Sequence, residues 1–155
     1  MELIEQHLVE MERISARKKL SSSGKELSGI IFERLNDEHS FARIRSKGDS
    51  TLFGGKTTQD MKTRFGVPDK RPSADFLPTI TIKAKDFANE ITNFDIKRDN
   101  LSSESTMTRE HIKNNRDVRQ VLVNRNIHPE ELPPAEDIKK IERRVQSERK
   151  KIPKA

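Results

Sequence analysis

The residues whose order comes nearest to a known chemistry are Ser50-Thr51-Leu52-Phe53-Gly54-Gly55-Lys56-Thr57-Thr58. A phosphate-binding loop wraps backbone N–H groups around phosphates, sets a lysine against them and gives a threonine hydroxyl to magnesium, at the spacing G-x-x-x-x-G-K-[ST]. Gly55, Lys56 and Thr57 fit the end of that pattern. Its first glycine is replaced by Ser50, which resists the positive-φ backbone that glycine adopts cheaply. The strand that should precede it is also missing, because His39 to Gly48 is short, charged and broken by glycine. A glycine turn between helices, over residues 48–56, is the better reading.

Other chemistries find less support. The histidines His7, His39, His111 and His128 fall on four separate predicted elements, with no pair at the i, i+4 spacing of helical metal ligands. There is no cysteine, which excludes disulfides, thiolate metal sites and cysteine nucleophiles. The serines Ser21 to Ser23 have no base nearby in sequence, and the carboxylates sit on predicted polar faces. No catalytic residue, metal ligand or cofactor site is expected, and the protein is read as a non-enzyme.

The elements that would position any site must be built from little apolar material. Of 155 residues, 31% are hydrophobic and 36% charged, with seven Phe and no Trp or Tyr. A modest core follows, and some segments are expected to be extended, frayed or ordered only against a partner. No apolar run approaches the ~20 residues of a membrane span, and the acidic N-terminus is no signal peptide. A cytoplasmic protein is expected.

Periodicity predicts an all-α fold: a small multi-helix assembly with an N-terminal helical hairpin, long irregular loops and a basic C-terminal helix. Ile4, Leu8, Met11 and Ile14 mark one helical face, Ser21-Ser22-Ser23-Gly24 ends that helix, and Ser23 with Glu26 makes a capping-box pattern for a second carrying Leu27, Ile30, Ile31 and Leu35. The two form the hairpin 2–36, a possible homodimer contact. Thr57 or Thr58 caps a short helix over 57–66 that Gly66 stops. Ile80, Ala84, Phe87, Ile91 and Phe94 predict a helix over 79–98 with these residues, the Phe included, inward. These pieces constitute a helical core over 1–98. Residues 99–107 read as a polar linker. The rest, 108–155, reads as a helix from Thr108 to Ile127, a proline turn, and a last helix with Ile138, Ile141, Val145 and Ile152 on one edge.

The charge is concentrated at that end. Between Ile138 and Ala155, Lys139, Lys140, Arg143, Arg144, Arg149, Lys150, Lys151 and Lys154 stand against Glu142 and Glu148, so the segment carries the whole formal +6 and residues 1–137 are neutral overall. A basic terminal helix is a footprint for nucleic acid or an acidic protein surface; it is also a common solubilising tail. Lys62 and Arg64 add a second locus, since Thr57 to Val67 resembles the first helix and turn of a helix-turn-helix. That motif does not close neatly, because Val67 to Leu77 intervenes where a short turn is needed.

The runs Phe41-Ala42-Arg43-Ile44, Leu52-Phe53-Gly54-Gly55, Ile112 to Gln120, Pro129-Glu130-Glu131-Leu132-Pro133 and Ile138-Lys139-Lys140, in this order, resemble the C-terminal region of the bacterial DNA-damage-inducible protein D family. The similarity extends from about Glu12 to Val145. It implies a non-enzymatic protein of the SOS response that modulates or antagonises RecA recombinase filaments on single-stranded DNA, with RecA, DNA or both as partners. A DNA-binding or phage antirepressor-type regulatory module is the alternative. Longer members carry an N-terminal BRO-type domain that this sequence lacks, so an isolated C-terminal region or a short member is expected.

Overall fold

A computed structural model describes residues 2–151. Its helices are α1 (Leu3–Leu35), α2 (Ser40–Leu52), α3 (Thr58–Phe65), α4 (Thr79–Arg98), α5 (Glu104–Val123) and α6 (Ile138–Lys150), with single 3-10 turns at Ser73–Phe76 and Pro129–Glu131. There is no strand among the described residues, so the fold is all-α as expected.

The N-terminal hairpin is replaced by one helix: Ser21 to Gly24 lie inside α1. These residues are weak helix formers alone, but tertiary packing decides most helices in proteins. Ser23 is buried, donates to the Leu20 carbonyl at 3.2 Å and accepts from Asn89 of α4 at 3.3 Å. The buried stripe then runs unbroken through Leu20, Ser23, Leu27 and Ile31. Ion pairs of Glu12 with Lys83 and of Glu26 with Lys97, and the Arg34 bond to the Leu101 carbonyl, rise in number on both sides, so α1 and α4 run parallel.

Helix α4 stands where its period placed it, but turned about its axis. Ile80, Phe87 and Phe94, expected inward, are 42%, 60% and 61% exposed. The buried face is Ile82, Ala84, Ala88, Thr92, Asn93, Asp95 and Ile96. It is wedged between α1 and α5, and small or hydrogen-bonding side chains let those helices approach where phenylalanine rings would hold them apart.

Residues 99–107 form a tight reversal and the first turn of α5. Asn100 takes φ 50° and Ser103 caps the helix by accepting from the Thr106 amide at 3.2 Å. Helix α5 therefore starts four residues earlier than Thr108 and returns antiparallel along α4. Between these helices runs a buried polar seam. Thr92 Oγ1 lies 2.7 Å from His111 Nδ1 and accepts from Asn114 at 2.9 Å, while Asn114 also donates to Asp95 at 3.1 Å. Burial pushes the His111 imidazole down to about 4, so it is neutral at pH 7.

On its other side α5 packs against α2, and the glycine expected to make a turn, Gly48, lies within α2 instead. A β-carbon there would collide with His111 Cδ2 and lie 2.6 Å from its Nε2 and 2.8 Å from Asn115 Nδ2. The glycine permits helix contact, and the chain reversal falls to Gly54 and Gly55, with φ 65° and 96°.

Four small apolar clusters stand in for one large core, in keeping with the composition. The irregular stretches 66–78 and 124–137 are not frayed: the Ala135 amide bonds the Phe76 carbonyl at 2.8 Å, and Arg71 pairs with Asp137 at 2.6 Å. Helix α6 closes the bundle by seating Ile138, Ile141 and Val145 against Met11 and Ile14 of α1. Ile152 and Lys154, placed on that helix by periodicity and charge, lie outside the described residues.

The contrast between two glycines is testable by urea or thermal unfolding. Gly48→Ala should lose about 1–3 kcal/mol through overpacking. Gly29→Ala, at a helical position with nothing within 4 Å, should gain about 0.5–1 kcal/mol.

Candidate functional site

The near-miss phosphate loop has no amides to offer. Gly54, Gly55 and Lys56 N–H groups bond to Thr51, Ser50 and Phe53 carbonyls at 3.3, 2.8 and 3.2 Å. The Thr57 amide bonds Asp60 Oδ2 at 2.9 Å, and the Thr57 hydroxyl accepts from the Asp60 amide at 3.1 Å, a reciprocal helix cap. Leu52 and Phe53 are buried beneath the turn, and Lys56 is exposed.

The loop is instead one side of a clamp. Arg119 of α5 donates to the Leu52 carbonyl at 3.0 Å and to Glu130 at 2.7 Å. Gly54 lies against this pair, where a β-carbon would meet the Glu130 carboxylate and lie 2.8 Å from Arg119 Nη2. Arg64 donates to the carbonyls of Glu131 and Leu132 at 2.9 and 2.7 Å. The stretches Leu52–Gly55, Ile112–Gln120 and Pro129–Pro133, separate in sequence, thus meet at one place.

The feature suited to binding lies on another face. An open cleft of about 570 Å³ is bounded by α1, α2, α3, α4 and the segment before the Ser73–Phe76 turn. Seven basic side chains line it, Arg17, Lys25, Arg45, Lys62, Lys70, Arg71 and Lys85, against one acid, Asp49. Three of the seven have structural work. Lys85 pairs with Asp49 at 3.2 Å; Arg17 and Arg71 both pair with the buried Asp75, at 2.9 and 3.0 Å. Arg71 also holds the Asp137 carboxyl down to about 2, chiefly by its hydrogen bond and against the opposing effect of burial.

The other four have no carboxylate partner among the described residues. Lys25, Arg45 and Lys70 are exposed, with the Arg45 guanidinium 5.4 Å from the Phe41 ring centroid, and half-buried Lys62 donates to the Asp69 carbonyl at 3.0 Å. Ser21, Ser28, Thr58 and Ser73 add hydroxyls and Asn89 an amide. An array of unpaired cations with flanking donors binds anions by charge and hydrogen bonding.

Of the residues singled out by sequence, Lys62 lines this cleft and Arg64 is committed to the clamp. On α6, Arg144 pairs with Glu10 and Glu136 at 2.7 and 2.8 Å, Lys139 stands 3.7 Å from Glu142, and Arg149 lies 3.9 Å from Met11 Sδ. Lys140, Arg143, Lys150 and Lys151 are exposed on its outer side. Lys25, Arg45 and Lys70 were missed because the neutral total of residues 1–137 hides them; only folding gathers them from separate elements. The four histidines lie apart, and no group of three or more His, Asp or Glu suited to a metal occurs among the described residues. No described helix is long and apolar enough to cross a membrane.

Compared with known families, residues 8–141 match the one described as the DinD C-terminal domain. No curated protein matches the chain.

The cleft wall gives a pH test. Because the folded-state pKa of Asp137 lies below its unfolded value, its contribution is complete above pH ~4 and lost as pH falls toward ~2. Arg71→Gln should lower stability near neutral pH by about 1–2 kcal/mol. It should also flatten the decline of urea-unfolding stability across the acid range relative to the parent.

Proposed function

The chain belongs to the DinD C-terminal domain family, a family of DNA-damage-inducible proteins, and from that membership we propose that it is a non-enzymatic modulator of RecA filaments on single-stranded DNA. The observation that carries this reading is the cleft, whose unpaired Lys25, Arg45, Lys62 and Lys70 offer charge to a polyanionic assembly. A filament of recombinase on a single strand presents phosphates and protein carboxylates together, and a concave cationic surface suits both. The exposed cations of α6 do not line the cleft and act as a secondary electrostatic contribution.

The duplex-binding, antirepressor-type alternative is less favoured. Helix α3 ends at Phe65, and the irregular segment to Pro78 stands where a helix-turn-helix needs a short turn. Nucleotide hydrolysis through Lys56 is disfavoured by the occupied loop amides.

Removing the chain beyond Asp137 is an unsuitable test, since Ile138, Ile141 and Val145 belong to the core. The better variant is Lys25→Glu/Arg45→Glu/Lys62→Glu, compared with the parent against RecA, single-stranded DNA and their filament in one binding assay. Association with the filament should fall at least about tenfold, on the order of 1.4 kcal/mol, with helical circular dichroism unchanged. Undiminished filament binding would remove the cleft from the mechanism.

A further inference from the structure

Helix α2 separates two cationic surfaces. Arg45 faces the cleft, whereas Lys47, two residues on and ~200° further round the helix, lines an open groove of about 700 Å³ between α2 and α5. Arg109, Lys113 and Arg116 line that groove from α5. All four cations are exposed and none has a carboxylate partner among the described residues. The groove's one acid, Glu104, is held by Arg43 at 2.7 and 2.9 Å, which lowers its pKa. Arg43 is shared with Asp37 at 2.7 Å, so it offsets that acid in part, and the four free cations outnumber the groove's one carboxylate.

Their arrangement is regular. Arg109, Lys113 and Arg116 are spaced by four and three residues, so they share one face of α5 and extend along ~10 Å of its axis. A line of like charges of that length lies along a phosphodiester backbone and neutralises neighbouring phosphates. Ser105 and Thr108 add hydroxyl donors beside the line, a group often used on phosphate oxygens. Protein interfaces are anchored by buried aromatic and apolar side chains, and here the only apolar lining residue is half-buried Ile112. A line of free cations with hydroxyl donors beside it and no apolar anchor favours a sugar–phosphate backbone over an acidic protein surface.

We propose that the α2–α5 groove, through Lys47, Arg109, Lys113 and Arg116, is a binding track for the phosphodiester backbone of a nucleic acid, separate from the cleft. It stands independently of the filament reading, because free nucleic acid suffices to occupy it. A chain with cationic tracks on both flanks of α2 engages two polyanionic surfaces at once.

The test uses the full chain and fluorescence anisotropy with a labelled single strand and a mixed-sequence duplex, each of about 20 nucleotides per strand, over a range of sodium chloride. The parent should bind at least one of them, and the stronger of the two arms identifies the strand state recognised. Lys113→Glu/Arg116→Glu should lower affinity at low salt at least about tenfold and reduce the salt slope by about 1.5–2, with helical circular dichroism unchanged. Lys113→Arg/Arg116→Lys should keep the slope, and Lys56→Glu, at an exposed lysine that lines neither the groove nor the cleft, should leave it largely intact. An unchanged slope in the groove variant, equal losses in the groove variant and the Lys56 variant, or absence of binding by the parent would overturn the proposal. Displacement of DNA by oligo-glutamate as effective as by DNA at equal charge would assign the groove to an acidic protein surface, and overturn it too.

Discussion

The close approach of α2 to α5 is the constraint on which the rest of the molecule depends. Gly48 leaves α2 without a side chain where the His111 ring and the Asn115 amide lie, so the two helices run in contact along their length. His111 is then sealed against Thr92, and Thr92 and Asp95 receive Asn114, which ties the same seam into α4. In a chain with so few large apolar side chains, satisfied buried polar groups fix helix positions that packing alone would leave loose. Further along, Arg119 reaches from α5 to the last carbonyl of α2 and to Glu130, locking the glycine turn and the proline segment together. The residues that carry the family resemblance are thus largely those that build the frame.

That frame sorts charge. Arg13, Arg17, Arg43, Arg71, Arg119 and Arg144 are absorbed by carbonyls and carboxylates and serve to join elements that are distant in sequence. What remains unpaired is distributed unevenly: one set faces the cleft, a second faces the α2–α5 groove, and a third covers the outer side of α6. Exposed ion pairs add little stability, so leaving these cations unpaired costs the fold little and keeps its concave surfaces positively charged. Because α2 is the ridge between the first two sets, its seating by Gly48 also sets their separation.

The sequence made some of this legible and concealed the rest for identifiable reasons. Thr57, Asp60, Met61 and Gly66 specify α3 through local capping, which needs no tertiary information, and that helix is found as expected. The existence of α4 was visible in its period, but its inward face was not, because burial between two helices selects Ala84, Ala88 and Thr92 over Phe87 and Phe94. Ser21 to Gly24 looked like a break because the Asn89 contact that stabilises the helix there comes from far along the chain. Lys62, singled out by its place on a recognisable helix, lines the cleft. Lys25, Arg45 and Lys70 carry no local signal, since their common surface exists only after five elements have packed.

In the proposed encounter the cleft, rather than the basic terminal helix, meets the RecA filament. Lysine-reactivity footprinting by mass spectrometry of the intact chain, free and bound to RecA-coated single-stranded DNA, tests it most directly. Lys25, Lys62 and Lys70 should lose reactivity, with Lys56 and Lys150 still reactive. Protection confined to Lys139, Lys140, Lys150 and Lys151 would contradict it.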